Sequence, residues 1–428
     1  MTSSVTVSGP RPLRGRLRLP GEKGMSHRAL IFGALARGET RLTSLAPGDD
    51  VASTAGALAA LGVDVQRDQD TTVVAGRGVD ALHESGSDID CGNSGTTLRM
   101  LAGLVAGRPF KTVLTGDESL RTRPMARVVE PLRAMGAVIE GDDGGRRAPL
   151  TIQGGELTGR RLTLAQPSGQ VKTALVLAGL QAHGTTEIVE PAPSRDHTER
   201  MLTALGAPLE RVDRQTLRVE HGAPRPFDLE LPGDPSSAVF LVVAATITPG
   251  SDLVLDDVLL NPGRIEFLEA LQRMGADIDV EQHDERLGEP VGTISVRAAP
   301  LHGTVIHAHE SIIDEIPALA VAGAFADGVT EFRDAAELRV KESDRVLTVV
   351  DLLVALGVGA EPRDDGLVVR GGRPGRASLH SHGDHRIALA AATAANAVPG
   401  DSTIEGWDAA AVSYPGFLDD LDRLAEPA

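Results

Sequence analysis

Two apolar patterns alternate along the chain in a fixed order. In the first, a glycine- or serine-rich stretch runs into a segment dominated by Ala, Leu and Val. It occurs as PGEKGMSHRALIFGALA from Pro20, CGNSGTTLRMLAGLVA from Cys91, QPSGQVKTALVLAGL from Gln166, LPGDPSSAVFLVVAA from Leu231, IIDEIPALAVAGAFA from Ile312 and HGDHRIALAAATAA from His382. Each predicts a loop that opens a helix. In the second, an amphipathic segment ends in a leucine–glycine phrase whose first leucine falls at positions 58, 132, 202, 271 and 353: LAALGV, LRAMGA, LTALGA, LQRMGA and LVALGV. A truncated version, LDRLAE, begins at Leu421. These predict helices stopped by glycine or by the end of the chain.

Short β-like segments such as TRLTSL, KTVLTG, TEIVEP and DLVLDD lie between the two helices. Alternating stretches such as DVQRDQDTTVVAG and AVIEGDDGGRRAPLTIQG follow the second helix and predict hairpins. The chain therefore repeats strand–helix–strand–helix–hairpin six times, about 70 residues each, and a unit this small needs its neighbours to bury its helices. Three plus three is the expected grouping, divided near Leu231–Pro232.

Composition narrows the functions open to such a chain. Its 428 residues are 41% hydrophobic but include only eight Phe, one Trp and one Tyr, so the core is aliphatic and base-stacking platforms are disfavoured. A net charge of −18 argues against nucleic acid and anionic membranes as partners. One cysteine, Cys91, excludes internal disulfides and multi-cysteine metal sites. No secretory signal is visible, the longest apolar run (238–247) is too short for a membrane span, and a cytoplasmic protein is expected. Lysine occurs only at 23, 111, 172 and 341, every other basic residue being arginine, so the lysines mark places where a compact ammonium is needed.

Chemistry concentrates at the helix starts, where unpaired N–H groups and the dipole favour anions. An ordinary cap explains any one such loop; six in equivalent positions, several with basic residues, suggest a shared anion-binding cleft. Lys23 and Arg28 repel each other and the dipole unless an anion lies between them. Gly92–Thr96 offers bare backbone, Pro124 suits a first helical position, and Arg121 and Arg123 precede that helix, with Arg121 able to reach the cleft. Ser168, Gly169, Gln170 and Ser194 suit a phosphate monoester or polyol, with Ser194 equally open to a capping role. Asp314 and Glu315 fit either a base with a raised pKa or a cap with a first-turn glutamate. Lys341 and Arg345, if helical, share a face, a costly arrangement unless an anion or carboxylate sits between them. Asp384-His385-Arg386 again puts a base where the dipole disfavours it. The histidines at 302, 307, 309, 380, 382 and 385 match no metal signature, and no metal site is expected.

The motifs LPGEKGMSHRAL, GNSGTTLRML, TGDESLRTRPM, SGQVKTALVLAGL, IDEIPALAVAGAFA, ELRVKESDR and GDHRIALAAA together resemble those of the 5-enolpyruvylshikimate-3-phosphate (EPSP) synthase family, in order over nearly the whole chain. The resemblance implies an α/β fold, a two-domain inside-out α/β barrel of six βαβαββ repeats, with 21–233 as one domain, 1–20 and 234–428 as the other, and the active site in the cleft between them. It implies transfer of the enolpyruvyl group of phosphoenolpyruvate to the 5-hydroxyl of shikimate 3-phosphate by addition–elimination, in a monomer and without metal or organic cofactor. Asp314 would be the base toward that hydroxyl, with Glu342 and Lys23 handling the proton at the methylene carbon. Lys23, Gly95, Arg121, Gln170, Arg345 and Arg386 would hold phosphoenolpyruvate. Lys23, Gly24, Arg28, Ser168, Gly169, Gln170, Ser194, Asp314 and Lys341 would surround shikimate 3-phosphate.

Three positions depart from the family pattern. Gly24 stands where serine is usual, Glu337 where asparagine is common, and Val412 where a lysine often precedes a Ser/Thr–aromatic–Pro segment. Weaker binding of both substrates is expected from them. The related UDP-N-acetylglucosamine enolpyruvyl transferases carry a mobile-loop cysteine, which Leu114–Arg121 lacks. A non-catalytic anion binder remains the reading from another class.

Overall fold

The computed structural model describes residues 3–425. The chain divides into two units, one of Gly21–Leu231 with Glu285–Glu289, the other of Met1–Pro20, Pro232–Asp284 and Pro290–Ala428; they are called here the N-terminal and C-terminal unit. Pro232 and Gly233, grouped by sequence with the N-terminal domain, belong to the C-terminal unit. The Gly233 N–H donates to the Asp257 carbonyl at 2.7 Å and residue 233 bridges to Val258.

The six loop-led segments form helices Lys23–Leu35, Gly95–Ala106, Gly169–Gly179, Pro235–Ile247, Ile316–Phe325 and His385–Ala397. Their near-unbroken apolar character reflects position: every residue of Pro235–Ile247 is buried, as expected of a helix surrounded by protein on all sides. In the C-terminal unit Pro235–Ile247, Ile316–Phe325 and His385–Ala397 pack on one another. The second-series helices lie amphipathically outside them. Glu266–Arg273, for example, buries Phe267, Leu268, Ala270 and Leu271 and keeps its acidic positions at the first turn. In the N-terminal unit Gly95–Ala106 and Gly169–Gly179 approach so closely that a Cβ at Gly103 would lie 2.0 Å from the Ala174 carbonyl oxygen, which is why glycine stands there.

Each repeat closes a small mixed sheet: a leading strand pairs parallel with the central strand, and the central strand pairs antiparallel with the following hairpin. In the second repeat Ile89–Asp90 pairs with Lys111–Thr115, which pairs with Arg147–Gln153 and through it with Val138–Gly141. The repeat is not fully local. Asp228–Glu230, from the end of the N-terminal unit, supplies the leading strand beside Arg37–Thr43. Arg14–Arg18 does the same for Asp252–Leu259 in the C-terminal unit. Among the described residues the sixth repeat shows no hairpin; Ser4–Gly9 takes that place, antiparallel to Gly400–Glu405. The chain passes between the units at Pro20/Gly21 and Leu231/Pro232, and again at Asp284/Glu285 and Glu289/Pro290. Among the described residues no helix is long and apolar enough to cross a membrane.

Candidate active site

In the N-terminal unit the first loop holds its two cations apart. Lys23 pairs with Asp50, whereas Arg28 turns inward, 4% exposed. Arg28 donates to Thr198 Oγ1 at 2.8 Å, Thr173 Oγ1 at 2.9 Å and the Gly24 carbonyl at 2.8 Å. Burial lowers its pKa to about 10, so it stays cationic near neutrality. At Gly24 a Cβ would stand 3.2 Å from both Glu22 carboxylate oxygens and 3.3 Å from Arg28 Nη1. The bare glycine thus suits the close approach of Glu22 and Arg28, and Glu22 itself caps the helix at the Met25 N–H.

The second and third loops are joined through side chains. Ser94 and Ser168 cap their helices, accepting from the N–H groups of Thr97 and Val171. Gln170 donates to Thr96 Oγ1 at 2.9 Å and accepts from Arg99 Nη1 at 2.6 Å. A Cβ on Gly95 would meet Arg99 Nη1 at 2.9 Å, with Arg123 Nη1 at 3.6 Å, so two guanidinium groups flank this helix start. Buried His27 connects the first loop to the second through Thr54, Thr97 and Ser94 in successive contacts of 2.7 Å. Burial lowers its pKa to about 3, and the imidazole is neutral.

Arg121 is not in this group. It lies in the short helix Glu118–Thr122, exposed, with Nη2 3.1 Å from Thr115 Oγ1, and lines an open depression with Asp117, Asp142, Asp143 and Arg147. Arg123 instead reaches Asn93 Oδ1. Pro124 precedes rather than opens the next helix, Ala126–Met135. Ser194 does not cap a helix either: Asp196 stands at that place before His197–Ala204, and the Ser194 hydroxyl donates to Glu190.

In the C-terminal unit one carboxylate collects the cations. Asp314 Oδ1 lies 3.3 Å from Arg345 Nη1 and 3.5 Å from Lys341 Nζ, and Asp314 Oδ2 lies 3.9 Å from Arg386 Nη2. Asp314 sits in the single 3-10 turn Ile313–Glu315, and the helix after it has no side-chain cap, so the capping alternative does not apply. Lys341 and Arg345 do not share a helix, because the chain breaks at 341–344 and a helix begins at Arg345, capped by Asp344. They are neighbours nonetheless, with Asp314 between them.

Arg345 is fixed on its other side by Asp384, whose Oδ2 is 2.8 Å from Nε, and by Glu342 at 2.5 Å. Burial works against the Arg345 charge, but Asp384, then Glu342 and Asp314, outweigh it and raise its pKa. Arg386 Nη1 donates to the Asp314 carbonyl at 2.9 Å and lies 3.8 Å from Glu315 Oε1. Glu315 is fully buried and accepts from the Ser236 hydroxyl, so it is spoken for structurally. Glu337 takes a hydrogen bond from Lys341 at 3.0 Å.

Sequence reasoning missed Asp50 and Arg99, and noted Arg123 and Asp384 without giving either a role. A signal existed for Arg123: the residue before proline is driven to extended backbone, and its φ of −71° and ψ of 145° carry it out of the Glu118–Thr122 helix toward Asn93. Cys91 is buried, its thiol pushed up to about 12 by burial, with Asp90 adding to the effect, which leaves it unsuited to act as a nucleophile. Among the described residues no group of three or more His, Cys, Asp or Glu could hold a metal ion.

The profile of the EPSP synthase (3-phosphoshikimate 1-carboxyvinyltransferase) family matches residues 7–421. A 3-phosphoshikimate 1-carboxyvinyltransferase of Synechococcus sp. is 49% identical, covering 99% of this chain and 97% of that protein. One from Roseiflexus castenholzii is 48% identical over 98% and 99%. Among solved structures, an EPSP synthase from Acinetobacter baumannii superposes with a TM-score of 0.89 at 37% identity, covering 99% and 98% of the two chains. The enolpyruvyl transferase NikO from Streptomyces tendae, at 22% identity and a TM-score of 0.81, shares the fold. With motifs, repeat architecture and full-length similarity in agreement, the chain belongs to the EPSP synthase family.

Proposed function

We propose that this chain transfers the enolpyruvyl group of phosphoenolpyruvate to the 5-hydroxyl of shikimate 3-phosphate, giving 5-enolpyruvylshikimate 3-phosphate and inorganic phosphate. The observation that carries the reading is the convergence of Lys341, Arg345 and Arg386 on Asp314. Addition–elimination needs a base for the hydroxyl proton beside fixed cations for two anionic substrates. Fixed charges held in advance stabilise such a reaction without reorganisation at the moment of bond formation.

Asp314 takes the 5-hydroxyl proton as oxygen attacks C2 of phosphoenolpyruvate, and an acid delivers a proton to the methylene carbon. Elimination then expels phosphate and returns that carbon to a methylene by loss of a proton. Glu342 and Lys23 are the candidates for the carbon proton, each already ion-paired, to Arg345 and Asp50 respectively. Arg345, Arg386, Lys23, Gly95 and Gln170 hold phosphoenolpyruvate. Arg123 takes the place expected for Arg121, since it is the arginine at the Asn93–Gly95 loop. Arg28, Gly24, Ser168, Gly169, Gln170, Ser194 and Lys341 receive shikimate 3-phosphate.

The net charge of −18 supports small anionic metabolites met by local cations over nucleic acid. The reading includes no metal or organic cofactor, and treatment with EDTA is expected to leave the rate unchanged. The test is phosphate release from shikimate 3-phosphate plus phosphoenolpyruvate, with Asp314→Asn as the control expected to lose turnover. Turnover of UDP-N-acetylglucosamine in place of shikimate 3-phosphate, or no turnover of either at millimolar concentration, overturns the reading.

A further inference from the structure

Lys172 is one of four lysines and its side chain is fully closed to solvent. It stands in the first turn of Gly169–Gly179, the helix whose start supplies Ser168, Gly169 and Gln170. A cation there opposes the helix dipole, so its retention calls for a partner. The ammonium is committed to carboxylates: Nζ lies 2.9 Å from Glu190 Oε2 and 2.9 Å from Glu199 Oε1, and 3.4 Å from the Ser194 carbonyl. The other oxygen of Glu190 accepts the Ser194 hydroxyl. Lys172 therefore meets Ser194 twice, directly at its carbonyl and through Glu190 at its hydroxyl.

The charges balance locally. Glu199 is shared with Arg211, so two cations face two carboxylates. Burial raises the Glu190 pKa, while Lys172 and the Ser194 hydrogen bond pull it back toward the ionised form. Without Lys172, a buried carboxylate in contact with Ser194 would carry unbalanced negative charge against any phosphate that Ser194 receives. One partner of a buried pair cannot be removed without leaving the other uncompensated.

We propose that Lys172 is a positioning residue for the phosphate-binding Ser194: it neutralises Glu190 and ties the Glu190–Ser194 segment to the helix that presents Ser168, Gly169 and Gln170. The inference rests on the reading of shikimate 3-phosphate as substrate. Nothing in the sequence near Lys172 announces it, because its partners lie 18 and 27 positions away.

Steady-state kinetics and calorimetric titration of shikimate 3-phosphate test it on three variants. Lys172→Met is expected to raise KM and Kd for shikimate 3-phosphate at least about ten-fold, with KM for phosphoenolpyruvate changed less than about two-fold. Lys172→Met/Glu190→Gln, which removes both charges, is expected to recover most of that loss. A merely structural role would move both KM values together and would show no rescue. If Lys172→Met does not fold, Glu190→Gln alone, which keeps the ammonium, is expected to bind shikimate 3-phosphate more tightly than the double variant; equal affinities overturn the proposal. An unchanged shikimate 3-phosphate KM in folded Lys172→Met also overturns it. Absence of turnover in the unmodified enzyme would instead sink the substrate reading, so the two failures are distinct.

Discussion

Arg345 Nε lies 2.8 Å from Asp384 Oδ2, and the two side chains are 1% and 0% exposed. Asp384 does three things at once. It balances Arg345, accepts from the Ser343 hydroxyl at 3.0 Å, and caps His385–Ala397 at the Arg386 N–H at 2.9 Å. A buried ion pair contributes little over an apolar substitute, but removing one partner strands the other. Asp384→Ala is therefore expected to lose about 3–5 kcal/mol of stability in urea unfolding, and to raise KM for phosphoenolpyruvate as Arg345 loosens. Asp384→Asn, which can keep the cap, should lose less. Equal stability of Asp384→Ala and the unmodified protein would refute the assignment.

Buried His27 sets an acid limit on stability. Its pKa falls from 6.5 to about 3 because burial penalises the imidazolium; nearby Asp50 opposes this, while Lys23 and Arg28 add to it. Nδ1 is used by Thr54, and the buried Nε2 has no hydrogen-bond partner for a second proton. The unfolded chain binds that proton below pH 6.5 and the folded one does not until about pH 3. The His27 contribution is thus fully present above 6.5 and is lost as pH falls through this window, by at most about 1.4 kcal/mol per pH unit. Denaturant unfolding between pH 7 and 4 should show His27→Asn with a shallower slope, by up to one proton. Parallel slopes for the two proteins would contradict this.

Gly103 and Ala174 bring two helices into backbone contact, and the same helices carry Arg99 and Gln170. The atom in the way of a Cβ is a carbonyl oxygen at 2.0 Å rather than a side chain that could swing aside. Gly103→Ala should cost about 3 kcal/mol or more in thermal or urea unfolding. The forced separation should also stretch the Arg99–Gln170 bond and raise the KM values. A neutral effect on stability would mean the helices can slide apart freely.

Lys341 is shared between Asp314 and Glu337, and Glu337 stands where many family members have asparagine. Its carboxylate is 56% exposed and the Lys341 side chain 21% exposed, so the pair is screened and worth at most about 1 kcal/mol. Glu337→Asn should release Lys341 toward the phosphorylated substrate and lower its KM by no more than about five-fold, with kcat little changed. A raised KM would show that Glu337 orients Lys341 rather than competing for it.

The repeat and both helix series were legible in the sequence because their signals are local: apolar runs, a capping Ser94, Ser168, Asp234, Asp344 or Asp384 at several starts, and a glycine at 62, 136, 206, 275 or 357 closing second-series helices. The strand exchanges were not. Asp228–Glu230 is three residues long, and nothing in it specifies pairing with Arg37–Thr43 nearly two hundred residues earlier. The candidate site residues followed the same divide. Lys23, Arg28, Asp314, Arg345 and Arg386 stand at helix starts and could be read locally. Asp50, Asp384 and Lys172 matter through partners remote in sequence. Lys341 and Arg345 meet at Asp314 for a reason other than the shared helix face expected of them, since the intervening chain is not helical.

Arg121 and Arg123 make the sharpest contrast, since they are two residues apart and face different surroundings. Asp117 caps Glu118–Thr122 through the Leu120 N–H at 2.8 Å, and that turn directs Arg121 to Thr115 and the exposed depression. Pro124 then forces Arg123 into an extended conformation, from which it reaches Asn93 beside Gly95. A charged hydrogen bond to an anionic substrate is worth about 1.5–3 kcal/mol. Arg123→Ala should therefore raise KM for phosphoenolpyruvate about 10- to 100-fold. Arg121→Ala should leave it within about two-fold, as an exposed side chain away from such features usually does. Steady-state kinetics on the two variants side by side decides between them: a large effect at Arg121 with none at Arg123 would return the role to the residue first suggested by sequence and reverse the structural assignment.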